Sequence, residues 1–166
     1  PISSNFKVKV NHISRREEKF QLITVGRLAK QKGHRRILEV LSKLDFPFHY
    51  TLIGDGPEKD TILKTINELG IEDNVTHIPF TKDVHLHLSQ SDLFLQGSYV
   101  EGFPNSLIES CAVGTPVMAF KALGGIDEII EEGINGYIAL DIDDYIHKTT
   151  KILNSLHEWI PEDVSN

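Results

Sequence analysis

Short apolar runs alternate along this chain with longer segments whose apolar residues recur at helical spacing. The runs cover residues 20–25, 48–53, 75–78, 92–96, 117–120 and 136–139. The first of them, residues 20–25, is a continuous apolar-leaning run, which suits a strand that is buried on both faces. Strands that alternate with helices form a parallel sheet covered on both sides. The pattern therefore predicts the α/β class, with a doubly wound, Rossmann-like parallel sheet of about six strands.

The helical segments are bounded by residues that commonly start or stop helices. One helix is expected after Gly33, a second from Pro57, a third over residues 83–90, and two more over 126–132 and 143–156. The central helix opens at Pro104, and Gly114 lies just past its expected end, where glycine is favoured. We expect one folded domain over residues 20–158, preceded at 1–19 by a polar linker with one edge strand.

The central strand, loop and helix suggest an anion site. Pro104 is expected at the first helical position, where its missing N–H group would have no intrahelical partner anyway. The free N–H groups from Asn105 to Leu107 then point out of the helix end and favour a bound anion. The apolar side of this helix is expected to consist of Leu107, Ile108, Cys111 and Ala112.

Two glutamates flank the same helix end, with seven residues between them. Glu101 is expected in the loop before the helix, and Glu109 at the margin of its buried face. A carboxylate can accept hydrogen bonds from two neighbouring hydroxyls of a diol, as in a ribose. The residues alone also allow a simpler interpretation, in which the loop caps the helix and Glu109 is a solvated surface residue.

Two cations follow the first strand. In a doubly wound sheet the first and fourth strands are neighbours, so the loop with Gly26, Arg27 and Lys32 faces residues 97–104. Arg27 offers a planar fork to phosphate oxygens and Lys32 a point charge, an arrangement that suits a diphosphate. A solvated basic loop is the alternative for these two side chains considered on their own.

Composition narrows the function classes. A net charge of −7 argues against a nucleic-acid partner, whose binding surface would be basic. The single cysteine, Cys111, cannot form an internal disulfide, which favours a reducing compartment. No apolar run reaches the length of a membrane span. Because the only methionine is Met118, we expect the chain to be part of a longer protein.

Metal binding is not expected. His85 and His87 lie two positions apart on a predicted helix, where their side chains point in different directions. The nearest Asp-x-Asp triplet, residues 141–143, is expected to cap the last helix instead.

Four segments in register carry a family resemblance. Residues 101–109 (EGFPNSLIE) resemble the paired-glutamate motif of the family 4 (group 1) retaining glycosyltransferases, which have the two-domain GT-B architecture. Residues 25–33 resemble the phosphate-binding segment of that family, and residues 52–57 its second signature. Residues 124–136 resemble its closing signature.

The resemblance implies a role for each matching residue. Arg27 and Lys32 would bind the donor diphosphate and, with Glu101, serve catalysis, while Glu109 would bind the ribose hydroxyls. Glu101 would position the transferred sugar, stabilise an oxocarbenium-like transition state, or only cap the helix. The other donor-binding residues would be Gly26, Gly54, Phe80, Thr81, Gly102, Phe103, Asn105, Ser106 and Leu107, with Phe80 and Thr81 at the base.

The resemblance also implies an activity for the complete protein. The chain would be the donor-binding half of a cytoplasmic glycosyltransferase that transfers a sugar, with retention and without a metal cofactor, from a nucleoside diphosphate sugar in bacterial-type polysaccharide or glycoconjugate synthesis. The acceptor would bind a missing N-terminal domain, and any contact with the inner membrane face would lie outside this chain. Residues 159–166 would begin a truncated crossover segment. Two alternatives are a non-catalytic nucleotide-binding module and a flavodoxin-like domain.

Overall fold

The computed structural model describes residues 19–102, 104–155 and 164 of the chain. The predicted linker at 1–19 and the predicted crossover at 159–166 lie outside the described residues, apart from Lys19 and Val164.

Six parallel strands form one sheet, as the apolar runs predict. In chain order they are β1 (Phe20–Val25), β2 (Phe48–Ile53), β3 (Val75–Ile78), β4 (Leu93–Gln96), β6 (Val117–Phe120) and β8 (Gly136–Ala139). Their order across the sheet is β3-β2-β1-β4-β6-β8. The chain moves outward from β1 to β3, then returns to the centre and moves outward on the other side. The doubly wound prediction is thus confirmed, with β1 and β4 adjacent at the switch point.

Helices cover both faces of the sheet. They are α1 (His34–Ser42), α2 (Lys59–Glu68), α3 (Val84–Ser89), α4 (Asn105–Ala112), α5 (Ile126–Ile129) and α6 (Ile142–Asn154). Two short 3₁₀ turns lie at Lys30–Lys32 and Glu72–Asn74. The helix predicted over 126–132 ends early, because the backbone of Ile130 is already extended.

The core consists of two apolar clusters, one on each face of the sheet. Neighbouring residues of β1 alternate between them, with Leu22 in the first and Ile23 in the second. Helices α1, α2 and α6 pack on the first cluster, and α3, α4 and α5 on the second. Burial on both faces accounts for the apolar run of β4, whose residues are all buried, whereas His49 and Thr51 of β2 are only partly buried.

A second, two-stranded sheet lies outside this framework. It pairs β5 (Val100–Glu101) in parallel with β7 (Leu123–Gly124). The prediction of a loop at Glu101 is wrong, because its backbone pairs with Gly124 in this small sheet.

Candidate functional site

A cleft of about 340 Å³ opens where the loops after β1 and β4 meet. We call it the switch-point cleft. Its walls combine the end of β1, the basic turn after it, and the first turn of α4. Of the predicted site residues, the cleft brings together Gly26, Arg27, Lys32, Glu101, Asn105, Ser106 and Leu107. The further lining residues are Thr24, Val25, His34, Gln96 and Pro104.

Glu101 is a buried carboxylate in this cleft, only 6% exposed. The Lys32 ammonium donates to both of its oxygens, at 3.1 and 2.9 Å. Ser98 Oγ donates to Oε2 at 2.9 Å and Gln96 Nε2 at 3.2 Å. A buried carboxylate is costly unless it is paired and hydrogen-bonded. These three donors hold the charge of Glu101 in one orientation.

The small sheet sets the backbone position of Glu101. Gly125 N donates to Glu101 O at 3.0 Å. Gly124 has φ +118°, and a Cβ built on it would lie 1.7 Å from Glu101 O. Only a residue without a side chain fits there in that conformation. Gly124 and Gly125, at the start of the segment 124–136, therefore hold one of the two motif glutamates.

The basic turn after β1 contributes both predicted cations to the cleft. Lys32 is partly exposed and forms the ion pair with Glu101, whereas Arg27 is an exposed side chain on the cleft wall. The resemblance assigns Lys32 to the diphosphate and Glu101 to the transferred sugar. The structure pairs their side chains, so an anionic ligand at Lys32 would compete with the Glu101 carboxylate for the Lys32 ammonium.

The first turn of α4 forms the opposite wall. Pro104 is the residue before the helix rather than its first residue, and among the described residues no side chain caps this end. The N–H groups of the first turn lack intrahelical partners, so they are available to an anion. The predicted apolar side is wrong at Ile108 and Ala112, which are exposed, because the buried stripe is Leu107, Ser110 and Cys111.

Glu109 lies outside the cleft wall, on α4, with its side chain 41% exposed. Its Oε2 lies 3.3 Å from His85 Nε2 on α3. The carboxylate therefore has a neighbour from another helix, and it remains open to solvent on the α4 surface.

Other predicted site residues lie around the cleft rather than in it. Gly54, after β2, packs its backbone against Gly26. Phe80 and Thr81 follow β3 at the same sheet edge, with the Phe80 side chain 79% exposed. Gly102 directly follows Glu101 and is exposed, and Phe103 lies outside the described residues.

Sequence reasoning missed the residues that support Glu101. Gln96 is the polar end of an otherwise apolar strand and Ser98 lies two residues later; both are buried. A polar residue at the carboxyl end of a central parallel strand is a usable signal, because ligands bind at that edge.

His34 also escaped sequence reasoning. It is 4% exposed at the start of α1, and neither ring nitrogen has a hydrogen-bond partner among the described residues. Burial, with a smaller contribution from Lys32, lowers the pKa of His34 to about 4. The imidazole is therefore neutral at physiological pH and adds no charge to the cleft.

The remaining candidate groups have structural explanations. Burial raises the pKa of the Cys111 thiol to about 12, so it is a core residue rather than a nucleophile. Asp141 accepts from Asp144 N and caps α6, as predicted. Within the described ranges no three His, Cys, Asp or Glu side chains are grouped to hold a metal ion. None of the described helices is long and apolar enough to cross a membrane.

Comparison with known proteins gives a family match. The family model described as "Glycosyl transferases group 1" matches residues 6–158. An uncharacterized glycosyltransferase of Haemophilus influenzae is 31% identical over 131 residues, which span 77% of this chain and 37% of that protein. The lipopolysaccharide core biosynthesis glycosyltransferase LpsE of Rhizobium meliloti is 30% identical over 123 residues, covering 74% of this chain and 35% of that protein.

A solved structure agrees with the fold. The crystal structure of Anabaena Alr3699/HepE in complex with UDP aligns with a TM-score of 0.77 at 25% identity, over 98% of this chain and 47% of that one. This chain therefore spans less than half the length of each protein compared here.

Proposed function

The chain belongs to the group 1 glycosyl transferases, and from this premise we propose that it binds a nucleoside diphosphate sugar as the donor half of a retaining glycosyltransferase. The ion pair of Glu101 with Lys32, in a cleft that also contains Arg27 and the first turn of α4, is the observation that carries the proposal. The cleft offers positive groups for a diphosphate and an oriented carboxylate for a sugar.

The cations would stabilise the leaving group. Breaking a sugar–diphosphate bond leaves negative charge on the diphosphate, and preorganised donors lower the energy of that charge. Arg27 can bind two phosphate oxygens through its planar fork, and Lys32 can bind a third as a point charge. The N–H groups of Asn105 and Ser106 add donors from the helix end.

Two glutamates would hold the two sugars of the donor. Glu101, fixed by Lys32 and Ser98, would accept from a hydroxyl of the transferred sugar near the bond that breaks. Glu109, half-exposed on α4, would accept from the two ribose hydroxyls. Phe80 and Thr81 would then contact the base at the edge of the sheet.

The proposal extends to the acceptor site, the stereochemical outcome, the metal requirement and the location of the reaction. The acceptor would bind residues outside this chain, since the relatives above are more than twice as long as the matching segment. Transfer would retain configuration, by attack on the same face or through a covalent intermediate. We further propose that it needs no metal, because Arg27 and Lys32 would neutralise the diphosphate, and that it takes place in the cytoplasm.

The complex of HepE with UDP supports the choice of a nucleoside diphosphate as probe. We would titrate the chain with UDP and with GDP by calorimetry, and repeat the titration with Arg27→Met. We expect one nucleotide to bind, and Arg27→Met to weaken its binding by about one to two powers of ten.

The matched control is Lys30→Met, which removes an exposed cation from the same turn but outside the cleft wall. It should leave the affinity within about threefold of the unsubstituted chain. Absence of binding to both nucleotides, or equal losses in Arg27→Met and Lys30→Met, would overturn the proposal. Binding without transfer by the longer protein would indicate a non-catalytic nucleotide-binding module.

A further inference from the structure

Arg36 on α1 holds the loop that leads to Glu101. Its guanidinium lies between two aromatic rings, 3.7 Å from the centroid of Tyr99 and 3.9 Å from that of Phe120. Arg36 Nε donates to Gly97 O at 3.1 Å, and Nη2 donates to Gly97 O at 2.6 Å and to Ser98 O at 2.9 Å. One side chain therefore binds two successive carbonyls and stacks on both sides.

The same loop is held against the chain segment that precedes and begins α1. A Cβ on Gly97 would lie 2.6 Å from Gly33 O, so the two backbones are in direct contact. Tyr99 N donates to Gln31 O at 2.9 Å. Arg36 adds hydrogen bonds to the carbonyls of Gly97 and Ser98, next to these two contacts.

The loop determines where the Glu101 carboxylate lies. Ser98, whose carbonyl accepts from Arg36, donates its own hydroxyl to Glu101 Oε2 at 2.9 Å. Gln96, just before the loop, donates to the same oxygen at 3.2 Å. Arg36 does not line the cleft, so we expect it to act on a ligand there through this loop.

We propose that Arg36 is a positioning residue that fixes residues 97–98 and thereby orients Glu101 toward the transferred sugar. The inference rests on the proposed function for the role of Glu101 in binding the sugar. The contacts between Arg36, the loop and Glu101 do not depend on that function. The planar guanidinium can stack on two rings and reach two carbonyls at once, which an ammonium cannot do. A positive charge alone at position 36 should therefore not be enough to hold residues 97–98 and orient Glu101.

The experiment compares Arg36→Met and Arg36→Lys with Arg35→Met as the matched control. Arg35 is the exposed neighbour on the same helix, and its loss changes the net charge by the same amount. Each variant is titrated with UDP, GDP and a panel of UDP- and GDP-sugars, and its crystal structure is determined. The readout is the ratio of affinities for the nucleotide sugar and for the nucleotide alone.

We expect Arg36→Met to lower this ratio about tenfold while affinity for the nucleotide stays within about threefold. Arg36→Lys should not restore the ratio, and Arg35→Met should leave it unchanged. In the crystal, the Glu101 carboxylate should move from Lys32 by more than about 0.5 Å in both Arg36 variants. If Arg36→Met does not fold, Arg36→Lys, which keeps the charge and stem, decides the question.

An unmoved Glu101, or an unchanged ratio in both Arg36 variants, would overturn the inference. An affinity ratio in Arg36→Lys equal to that of the unsubstituted chain would also overturn it, since the positive charge alone would then explain the effect. If the unsubstituted chain binds neither UDP nor GDP, the proposed function fails, and the crystallographic comparison still decides whether Arg36 positions Glu101.

Discussion

Lys32 Nζ and Glu101 Oε2 lie 2.9 Å apart in the switch-point cleft. Two groups that the proposed function assigns to different parts of the donor thus neutralise each other. A diphosphate at Lys32 would compete with Glu101 for the ammonium, and a sugar hydroxyl could then bind the carboxylate. Because these two charges cancel, Arg27 gives the cleft wall its net positive charge.

Removing the charge of Glu101 should separate nucleotide binding from transfer. In Glu101→Gln the Lys32 ammonium loses its ionised partner and becomes free for phosphate, so the affinity for UDP should stay equal or rise by about threefold. Sugar transfer by the longer protein should fall by about tenfold or more. Calorimetry and a transfer assay check the two parts. Weaker UDP binding in Glu101→Gln would contradict this description of the ion pair.

Removing the charge of Glu109, unlike that of Glu101, should weaken nucleotide binding. Glu109→Gln should weaken UDP binding by about tenfold, because a carboxylate accepts more strongly than an amide from the two ribose hydroxyls. His85→Ala is the informative companion, since it removes the neighbour 3.3 Å from the carboxylate without altering the carboxylate itself. It should leave UDP affinity equal or slightly higher. A tenfold loss in His85→Ala would show instead that the histidine contacts the nucleotide.

Gly124 should be required for the small sheet. Gly124→Ala places a Cβ 1.7 Å from Glu101 O at φ +118°, so the β5–β7 pairing must open and Glu101 must shift. Gly133→Ala is the matched control, because its φ is +81° and its nearest new contact would be 3.9 Å away. Both variants carry a backbone cost of about 1–2 kcal/mol at positive φ, but only Gly124→Ala should lower sugar transfer by the longer protein, by about tenfold. Equal transfer activities would contradict the role of the small sheet.

His34 should make the domain less stable in acid. Its pKa is about 4 in the folded chain, below the usual 6.5, so the unfolded chain binds the proton more tightly. Stability is therefore lost as the pH falls from about 6.5 towards 4, and the loss between pH 7 and pH 5 should be about 2 kcal/mol. Urea unfolding of the chain at the two pH values measures it.

His34→Leu replaces the imidazole with an apolar side chain of similar size that cannot bind a proton. It should remove most of the stability loss between pH 7 and pH 5. His147→Gln, at an exposed histidine of α6, is the control and should keep the full dependence. If the unsubstituted chain and His34→Leu lose the same stability between pH 7 and pH 5, another group is responsible.

The sequence by itself determined the six strands of the main sheet and their alternation with helices. Phe20–Val25 is an apolar-leaning strand, and the strands alternate with helical segments, which together indicate a parallel sheet covered by helices on both faces. Once the sheet is doubly wound, the loops after β1 and β4 must be neighbours. The meeting of Arg27 and Lys32 with the start of α4 follows from that topology.

Only the tertiary structure decided how the charged groups are paired. Lys32 and Glu101 are 69 positions apart, and no local periodicity indicates that their side chains touch. The pairing of Glu101 with Gly124 depends on two-residue strands, which are too short to leave a pattern. Arg36 likewise reads as an ordinary helical cation until the rings of Tyr99 and Phe120 are in place. Periodicity reports burial along one element, whereas these contacts depend on distances between elements.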